Sequence, residues 1–415
     1  FWIAQAGHAV LFGVLWAALR SRGRPVALSA TVAFVVAEFV YPQMFPSYYG
    51  AALHDVAALL QLAEVGGPLL LSALCMAVNG AVYEAVGLAH RTMRQRVRTS
   101  VAVAAVLGAS FVFGSLRLAD LSETMASAKT LRLGIVQANI PAPAAGERRK
   151  GVLQRHVELS DQVLRSGPVD LLVWPESACE TPLELPVASL REVVPWHLRT
   201  PVLFGALARA SSDGIRRKFN VAVLAGADGR ILDRYEKNHL VAFSERNPLA
   251  PLGVSLAPGA SRGAGFTAGT EHEPLMLRRT PISVLVCLED ILPDYVRRVA
   301  ATAMPQLLVN LTNDAWFGDT AGPRTHAALG RFRAVEHRTC LVRATNTGVT
   351  VVYGPDGRVL AEAPTGEPAT LRVDVPLLPV RRTLYARFGD WVGWLGLVLA
   401  GGMLLRRPAP ARNLS

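Results

Sequence analysis

An α/β sandwich domain flanked by α-helical transmembrane segments is the fold class this sequence predicts, and three observations carry that expectation. Long apolar runs occupy residues 1 to about 118 and about 389 to 405, whereas 130–385 has ordinary globular composition. Arginines cluster beside those runs, at Arg20, Arg22 and Arg24, at Arg91, Arg94, Arg96 and Arg98, and at Arg406, Arg407 and Arg412. Between the runs, strand patterns alternate with helix patterns and tight-turn hairpins. The chain has 415 residues, half of them apolar, so membrane segments beside one soluble domain account for its positive mean hydropathy. We therefore expect helices over 1–128, a soluble domain over 129–385 and a helix with a basic tail over 386–415.

Four runs precede the soluble domain: about 2–19, 25–42, 67–88 and 99–117. Each approaches the ~20 residues that span a bilayer. Orientation follows from the arginines, because cytoplasmic loops carry the basic excess. Helix 1 then ends inside at Arg20–Arg24, helix 2 leaves, helix 3 returns at Arg91–Arg98 and helix 4 exits. That puts 129–385 outside, and the last run returns to Arg406 and Arg407, with Trp391 and Trp394 at the interface. The apolar 51–63 stretch is expected to lie at the outer surface as an interfacial helix. Residue 1 is Phe and no signal peptide is visible, so a segment upstream is expected.

The soluble part opens with a strand at 131–140, then a helix around 148–166, a strand at 169–174 and, after a further helix, one from Val202. Hairpins with Asp-Gly turns follow at Asp228-Gly229 and Asp356-Gly357. The formal charge of +11 falls largely in the juxtamembrane clusters, which argues against a nucleic-acid partner. Cys75, Cys179, Cys287 and Cys340 lack CxxC or metal-ligand spacing, so neither a disulfide framework nor a metal site is indicated.

The stretch 281–290 carries the chemistry. Ile282, Val284, Leu285 and Val286 make a buried strand that stops at Cys287, and 290–300 has helical spacing. A cysteine closing an apolar strand is usually a small core residue. At a strand-to-helix junction, however, the turn lifts the side chain off the sheet, and a helix N-terminus favours the thiolate. Two other strands end in polar residues, at Trp174-Pro175-Glu176 and at Lys237-Asn238-His239. Ligands of α/β sheets bind outside strand ends, so three such ends can converge on one pocket. A carboxylate base, an ammonium and a thiol together suffice for nucleophilic acyl transfer. Taken singly, Glu176 also reads as a helix cap, Lys237 as a surface lysine and Glu289 as a solvated first-turn acid.

These segments resemble the Glu-Lys-Cys motifs of the nitrilase superfamily. They comprise Trp174-Pro175-Glu176, Lys237-Asn238-His239 with Glu245 downstream, and Cys287-Leu288-Glu289. Residues 134–139, Asn313 through Trp316 to Gly318, Arg333–Glu336 and Arg343–Gly348 resemble its other segments. With flanking membrane helices, the chain is similar over nearly its whole length to the apolipoprotein N-acyltransferases. The resemblance implies an αββα sandwich facing the periplasm of a bacterial inner membrane, and a ping-pong reaction without a cofactor. Cys287 would attack the sn-1 ester of a phospholipid, hold the acyl chain as a thioester and pass it to the α-amine of a diacylglyceryl-cysteine apolipoprotein. Glu176 would be the base, while Lys237 and the Leu288 N–H would hold the oxyanion. Glu245 would position Lys237, Glu289 would sit beside the nucleophile, and Trp174, Asn313 and Trp316 would support the site. Leu288 stands where the family usually has an aromatic residue, and Ala242 and Ser244 where it has Pro and Gly; its members also carry more membrane helices upstream. Two rival readings use the same residues: a membrane-tethered amidohydrolase, which the apolar 41–63 and 242–258 stretches disfavour, and a silent scaffold.

Overall fold

The computed structural model describes residues 2–43, 45–87, 92–141, 151–192, 196–212, 215–249 and 265–405. Arg91, Arg406, Arg407, Arg412 and much of the 242–258 stretch lie outside the described residues. The chain divides into two compact units. One comprises 1–123, 335–337 and 381–415; the other comprises 124–334 and 338–380.

Helices α1 (Trp2–Ser21), α2 (Val26–Val40), α3 (Ala57–Leu60), α4 (Ala63–Ala85) and α5 (Met93–Ala126) come first in the chain. Helices α6 (Val152–Arg165), α7 (Pro293–Ala303) and α8 (Gly322–His337) follow within the sheets, and α9 (Leu384–Phe388) and α10 (Trp391–Leu405) close it. Helices α4 and α5 are long and apolar enough to cross a membrane, while 6–21, α2 and α10 are shorter apolar helices. Small residues let α2 and α4 approach closely: a Cβ on Gly80 would lie 2.4 Å from the Ala27 Cα. The buried Glu84 carboxylate caps α2, accepting the N–H groups of Val26 at 2.8 Å and Ala27 at 3.3 Å. Arg117 of α5 pairs with Glu64 of α4 at 2.9 Å.

Two expectations change here. The third apolar run starts earlier, at Ala63, but is broken at Gly66 and Gly67 before Pro68. Gly67 takes φ +63, and a Cβ there would meet the Tyr385 ring at 2.5 Å. The 51–63 stretch is not one interfacial helix but a 3-10 turn at Tyr49–Leu53 and the single turn α3. Side chains take the first two donors of the 3-10 turn: Tyr49 N–H goes to Glu38 at 2.7 Å and Gly50 N–H to Ser72 at 2.8 Å. Beyond them the bonds run three residues back, from His54 N–H to Ala51 and from Val56 N–H to Leu53, each at 3.0 Å, a tighter winding that is used in short pieces.

The other unit is two stacked sheets with helices outside. Its strands are β1 (Lys129–Gln137), β2 (Leu171–Val173), β3 (Cys179–Leu185), β4 (Val202–Ser212), β5 (Ile215–Ala225) and β6 (Ile231–Glu236). They continue as β7 (Leu275–Leu277), β8 (Thr280–Val286), β9 (Leu307–Thr312), β10 (Cys340–Thr345), β11 (Val351–Tyr353), β12 (Val359–Glu362) and β13 (Ala369–Leu377). The first sheet runs β13-β1-β2-β4-β5-β6, with β3 beside β4; the second runs β12-β11-β10-β9-β8-β7. Each has a parallel centre, β1-β2-β4 and β8-β9-β10. Both predicted Asp-Gly hairpins form, with Gly229 and Gly357 at positive φ.

Alternation along the strands decides which side chains meet. Phe219, Val221 and Val223 of β5 share a core with Leu159 and Val163 of α6, so Asn220, between them, points away from that helix layer. Likewise Leu285 of β8 packs with Tyr295, Val296 and Val299 of α7. The sheets are stitched at one end, where Asn346 O accepts Asn139 N–H at 3.0 Å and Asn346 Nδ2 donates to the Ile140 carbonyl at 2.8 Å. The result is the expected αββα sandwich.

Candidate active site

Cys287 is the first residue beyond β8, and it takes φ +56. That region is costly for a side chain with a Cβ, so the surroundings must hold it. Asn310 of β9 does so from beneath, donating to the Cys287 carbonyl at 3.1 Å. The chain then makes a 3-10 turn, Cys287–Ile291, before α7 starts at Pro293. The expectation that a helix end would favour the thiolate fails. Burial first, and then the Glu176 charge, push the thiol up, outweighing Lys237 and a hydrogen bond with Thr312. The cysteine rests as a neutral thiol and needs a base.

Glu176 follows β2, with only 8% of its surface exposed. Burial raises its affinity for a proton, and the Glu245 and Asp314 charges add to that; Lys237 and Asn220 oppose it. It caps no helix. Lys237 follows β6 and is 1% exposed. Its Nζ lies 2.9 Å from both oxygens of Glu245 and 4.0 Å from Glu176 Oε1. Burial alone would discharge the amine, but the acidic groups around it, Cys287 first and then Glu176, Glu245 and Glu289, raise its pKa; beside a neutral thiol, the Glu245 and Glu176 carboxylates still favour the ammonium. Asn220 of β5 joins the carboxylates, donating to Glu176 at 2.7 Å and to Glu245 at 3.2 Å. The other Glu245 oxygen accepts Val241 N–H at 2.8 Å, which folds 241–245 back over Lys237.

Glu289 is fully buried rather than solvated. One oxygen accepts the N–H groups of Asn238 and His239, each at 2.8 Å. The other accepts Val286 N–H and the Tyr235 hydroxyl, also each at 2.8 Å. Burial pushes this carboxyl up to about 7. Three of its four partners are backbone donors that cannot accept a proton, so the ionised form fits the site. Tyr295 lies 2.5 Å from the Tyr235 hydroxyl and continues the chain of hydrogen bonds.

Behind the thiol, Asp290, Asp314, His326 and Arg343 form a buried charged ring. The two nitrogens of His326 meet Asp314 at 2.8 Å and Asp290 at 2.9 Å, and Arg343 bonds Asp290. Burial and Arg343 would discharge the imidazole, but the two carboxylates outweigh them and raise its pKa. Asp290 is lowered because Arg343 and His326 overcome its burial.

The remaining expected residues divide. Leu288 is buried beside the thiol. Trp174 is not at the site: its ring packs on Phe204 and Trp196 and its Nε1 donates to Ser160 of α6 at 2.8 Å. Trp174 is the next residue in the alternation after β2 and belongs to the helix-facing core. Asn313 braces its own loop, accepting from Ala315 N–H at 3.3 Å and from Thr347 Oγ1 at 3.2 Å. Trp316, 54% exposed, stacks on Phe317 at 3.9 Å. Asn220, Tyr235, Tyr295, Asp290, Asp314 and His326 were not singled out from the sequence. For Asn220 the signal was present, an amide within an otherwise apolar strand core. No group of His, Cys, Asp and Glu suited to a metal ion occurs among the described residues.

The family described as carbon-nitrogen hydrolase matches residues 132–385. An apolipoprotein N-acyltransferase of Rhodopseudomonas palustris is 31% identical over 92% of this chain and 74% of its own length. One from Geobacter metallireducens is 31% identical over 96% and 74%. Among solved structures, Saccharomyces cerevisiae Nit3, of the nitrilase superfamily, aligns with 60% of this chain and 90% of its own at 15% identity and a TM-score of 0.47. With a carboxylate, an ammonium and a buried thiol at three strand ends and relatives matching over more than nine-tenths of this chain, the chain belongs to the carbon-nitrogen hydrolases and, among them, to the apolipoprotein N-acyltransferases.

Proposed function

We propose that this acyltransferase moves a chain from a membrane phospholipid, through a thioester on Cys287, to the N-terminal amine of a diacylglyceryl-cysteine apolipoprotein. The observation that carries the proposal is a buried thiol on a positive-φ turn sharing a site with a buried carboxylate and a lysine fixed by Glu245. Glu176 takes the thiol proton as Sγ attacks the ester carbonyl. The oxyanion forms against Lys237 Nζ and the Leu288 N–H. Collapse breaks the ester C–O bond, and the lysophospholipid oxygen leaves with the proton held by Glu176. In the second half the acceptor amine attacks the thioester, Glu176 takes its proton, and collapse returns that proton to the departing Cys287 sulfur. Glu245 holds Lys237 between the two carboxylates, which supports a stabilising rather than a nucleophilic role for the lysine.

We place the catalytic unit on the periplasmic face of a multi-pass inner-membrane protein. The support is the distribution of Arg20–Arg24 and Arg94–Arg98 around the apolar helices. The test is intact-mass analysis of the full chain incubated with phospholipid and no amine acceptor. The expected result is a stable acyl adduct on Cys287, absent in Cys287→Ala. Turnover to free fatty acid without an adduct would instead identify a hydrolase.

A further inference from the structure

The hairpin of β4 and β5 runs outward from the catalytic residues, and its polar face changes character along the way. Register in this hairpin is set residue by residue: Asn220 opposes Leu207, Lys218 opposes Arg209 and Arg216 opposes Ser211. Directly opposed residues of an antiparallel pair share a face, and so do residues two apart on one strand. Arg216, Lys218, Asn220 and Arg209 therefore share one face of the sheet. The opposite face is fixed by Phe219 and Ala208, which belong to the core packed on α6. Asn220 identifies the first face as that of the active site, since it donates to Glu176 and Glu245.

Two like charges directly opposed, Arg209 and Lys218, are unfavourable in a sheet unless an anion lies between or above them. Arg209 has one acidic neighbour, Glu184 at 3.3 Å, with both side chains well exposed, and a pair of that kind contributes little. Arg216 and Lys218 are exposed. The edge beside them is closed by backbone pairing, with Thr267 N–H donating to the Lys218 carbonyl at 2.7 Å. The strand is thus a fixed support for its cations rather than a free loop.

We propose that Arg209, Lys218 and Arg216 receive the phosphodiester of the acyl donor, a glycerophospholipid, while its sn-1 ester lies at Cys287. This rests on the acyl-transfer function proposed above and adds to it the determinant of donor class. The spacing agrees. Each step of two residues along a strand advances about 7 Å, so Lys218 stands about 7 Å out from Asn220. In the donor six bonds separate the sn-1 carbonyl carbon from phosphorus, which at the reach of a backbone repeat per three bonds is also about 7 Å. Charge complements charge: a phosphodiester is anionic whatever its head group, and a cation above and one beside it would hold it without reading that head group. The site would thus select phospholipids over neutral glycerolipids and tolerate varied head groups.

The experiment uses the full chain in mixed micelles and reads Cys287 acylation by intact mass as a rate ratio, phosphatidylglycerol over diacylglycerol. Arg216→Glu with Lys218→Glu should lower that ratio about tenfold, and the double Gln variant should fall between it and the parent chain. Arg217→Glu is the control for net charge. Arg217 opposes Ala210, which packs against the helix-facing core, so a charge reversal there, one replacement against the double variant's two, should leave the ratio alone. Raising the salt should narrow the difference between parent and double variant. If the Arg217 variant lowers the ratio as much as the double variant does, or neither changes it, the ladder is not the phosphodiester site. If the parent chain forms no adduct with either donor, the acyl-transfer proposal itself falls and takes this one with it.

Discussion

Tyr235 donates its hydroxyl to Glu289 across 2.8 Å, and that bond joins the strand that delivers Lys237 to the turn that delivers Cys287. Tyr235 lies two residues before Lys237, Glu289 two residues after Cys287. Through its other oxygen Glu289 also holds the two N–H groups that follow Lys237. Glu289→Gln places an NH2 where one oxygen accepted two donors, leaving buried donors unmatched. We expect a loss of about 3 kcal/mol in stability and a fall in acylation rate with little change in donor affinity. Tyr235→Phe removes one hydroxyl and should cost about 1–2 kcal/mol. Chemical denaturation in detergent beside single-turnover acylation separates the two effects; an unchanged Glu289→Gln rate would deny it a positioning role.

The three proposed catalytic side chains should fail in different ways. Cys287→Ala should give no adduct while keeping the fold. Glu176→Gln should slow adduct formation about 10²–10⁴-fold, because the thiol loses its base. Lys237→Met should slow it about 10²–10³-fold and also destabilise the chain, because Glu245 and Glu176 are left buried without their cation. A Lys237→Met protein as stable as the parent would show that the carboxylates protonate without penalty.

Local pattern made much of this legible. Cys287, Glu176 and Lys237 stand at strand ends that periodicity and β-branching reveal, and the motif spacing singled them out. Trp174 misled because it lies next to a catalytic motif, whereas strand alternation turns its ring to the other face. That Asp290, Asp314, His326 and Arg343 form one ring was illegible for another reason. They come from four separate elements, and only the folded register of β8, β9 and β10 brings them together. Likewise, nothing local to 51–63 signals that Glu38 and Ser72 will take the donors of Tyr49 and Gly50.

The pH dependence of thioester formation follows from two raised groups. The thiol is raised, so no pool of thiolate exists near neutrality, and the acidic limb of the rate belongs to Glu176. Only the ionised carboxylate can take the proton, so the rate falls as pH drops through the Glu176 pKa, at a midpoint above the ordinary 4.5. Asn220 lowers that pKa by donating to the carboxylate. Asn220→Ala should therefore move the limb to higher pH. Single-turnover adduct formation across pH checks both points, and a limb at or below 4.5 would contradict the assignment.

His326 offers a test on stability instead of rate. Its imidazole bridges Asp290 and Asp314, each buried to within 2% of complete exclusion from solvent. Arg343 supplies one positive charge against two carboxylates, so the protonated imidazole balances the ring. The folded pKa of His326 lies above the unfolded 6.5. Its contribution is then fully present below 6.5 and is lost as pH rises through the folded value. His326→Asn can bond one carboxylate but not bridge both, and it carries no charge. We expect a loss of about 3–5 kcal/mol at pH 6, shrinking toward higher pH as the parent chain loses the same contribution. Thermal unfolding of both proteins in one detergent from about pH 6 to 9 reads the difference. A gap that does not narrow with pH would mean that the ring is held by hydrogen bonds alone, with the imidazole neutral throughout.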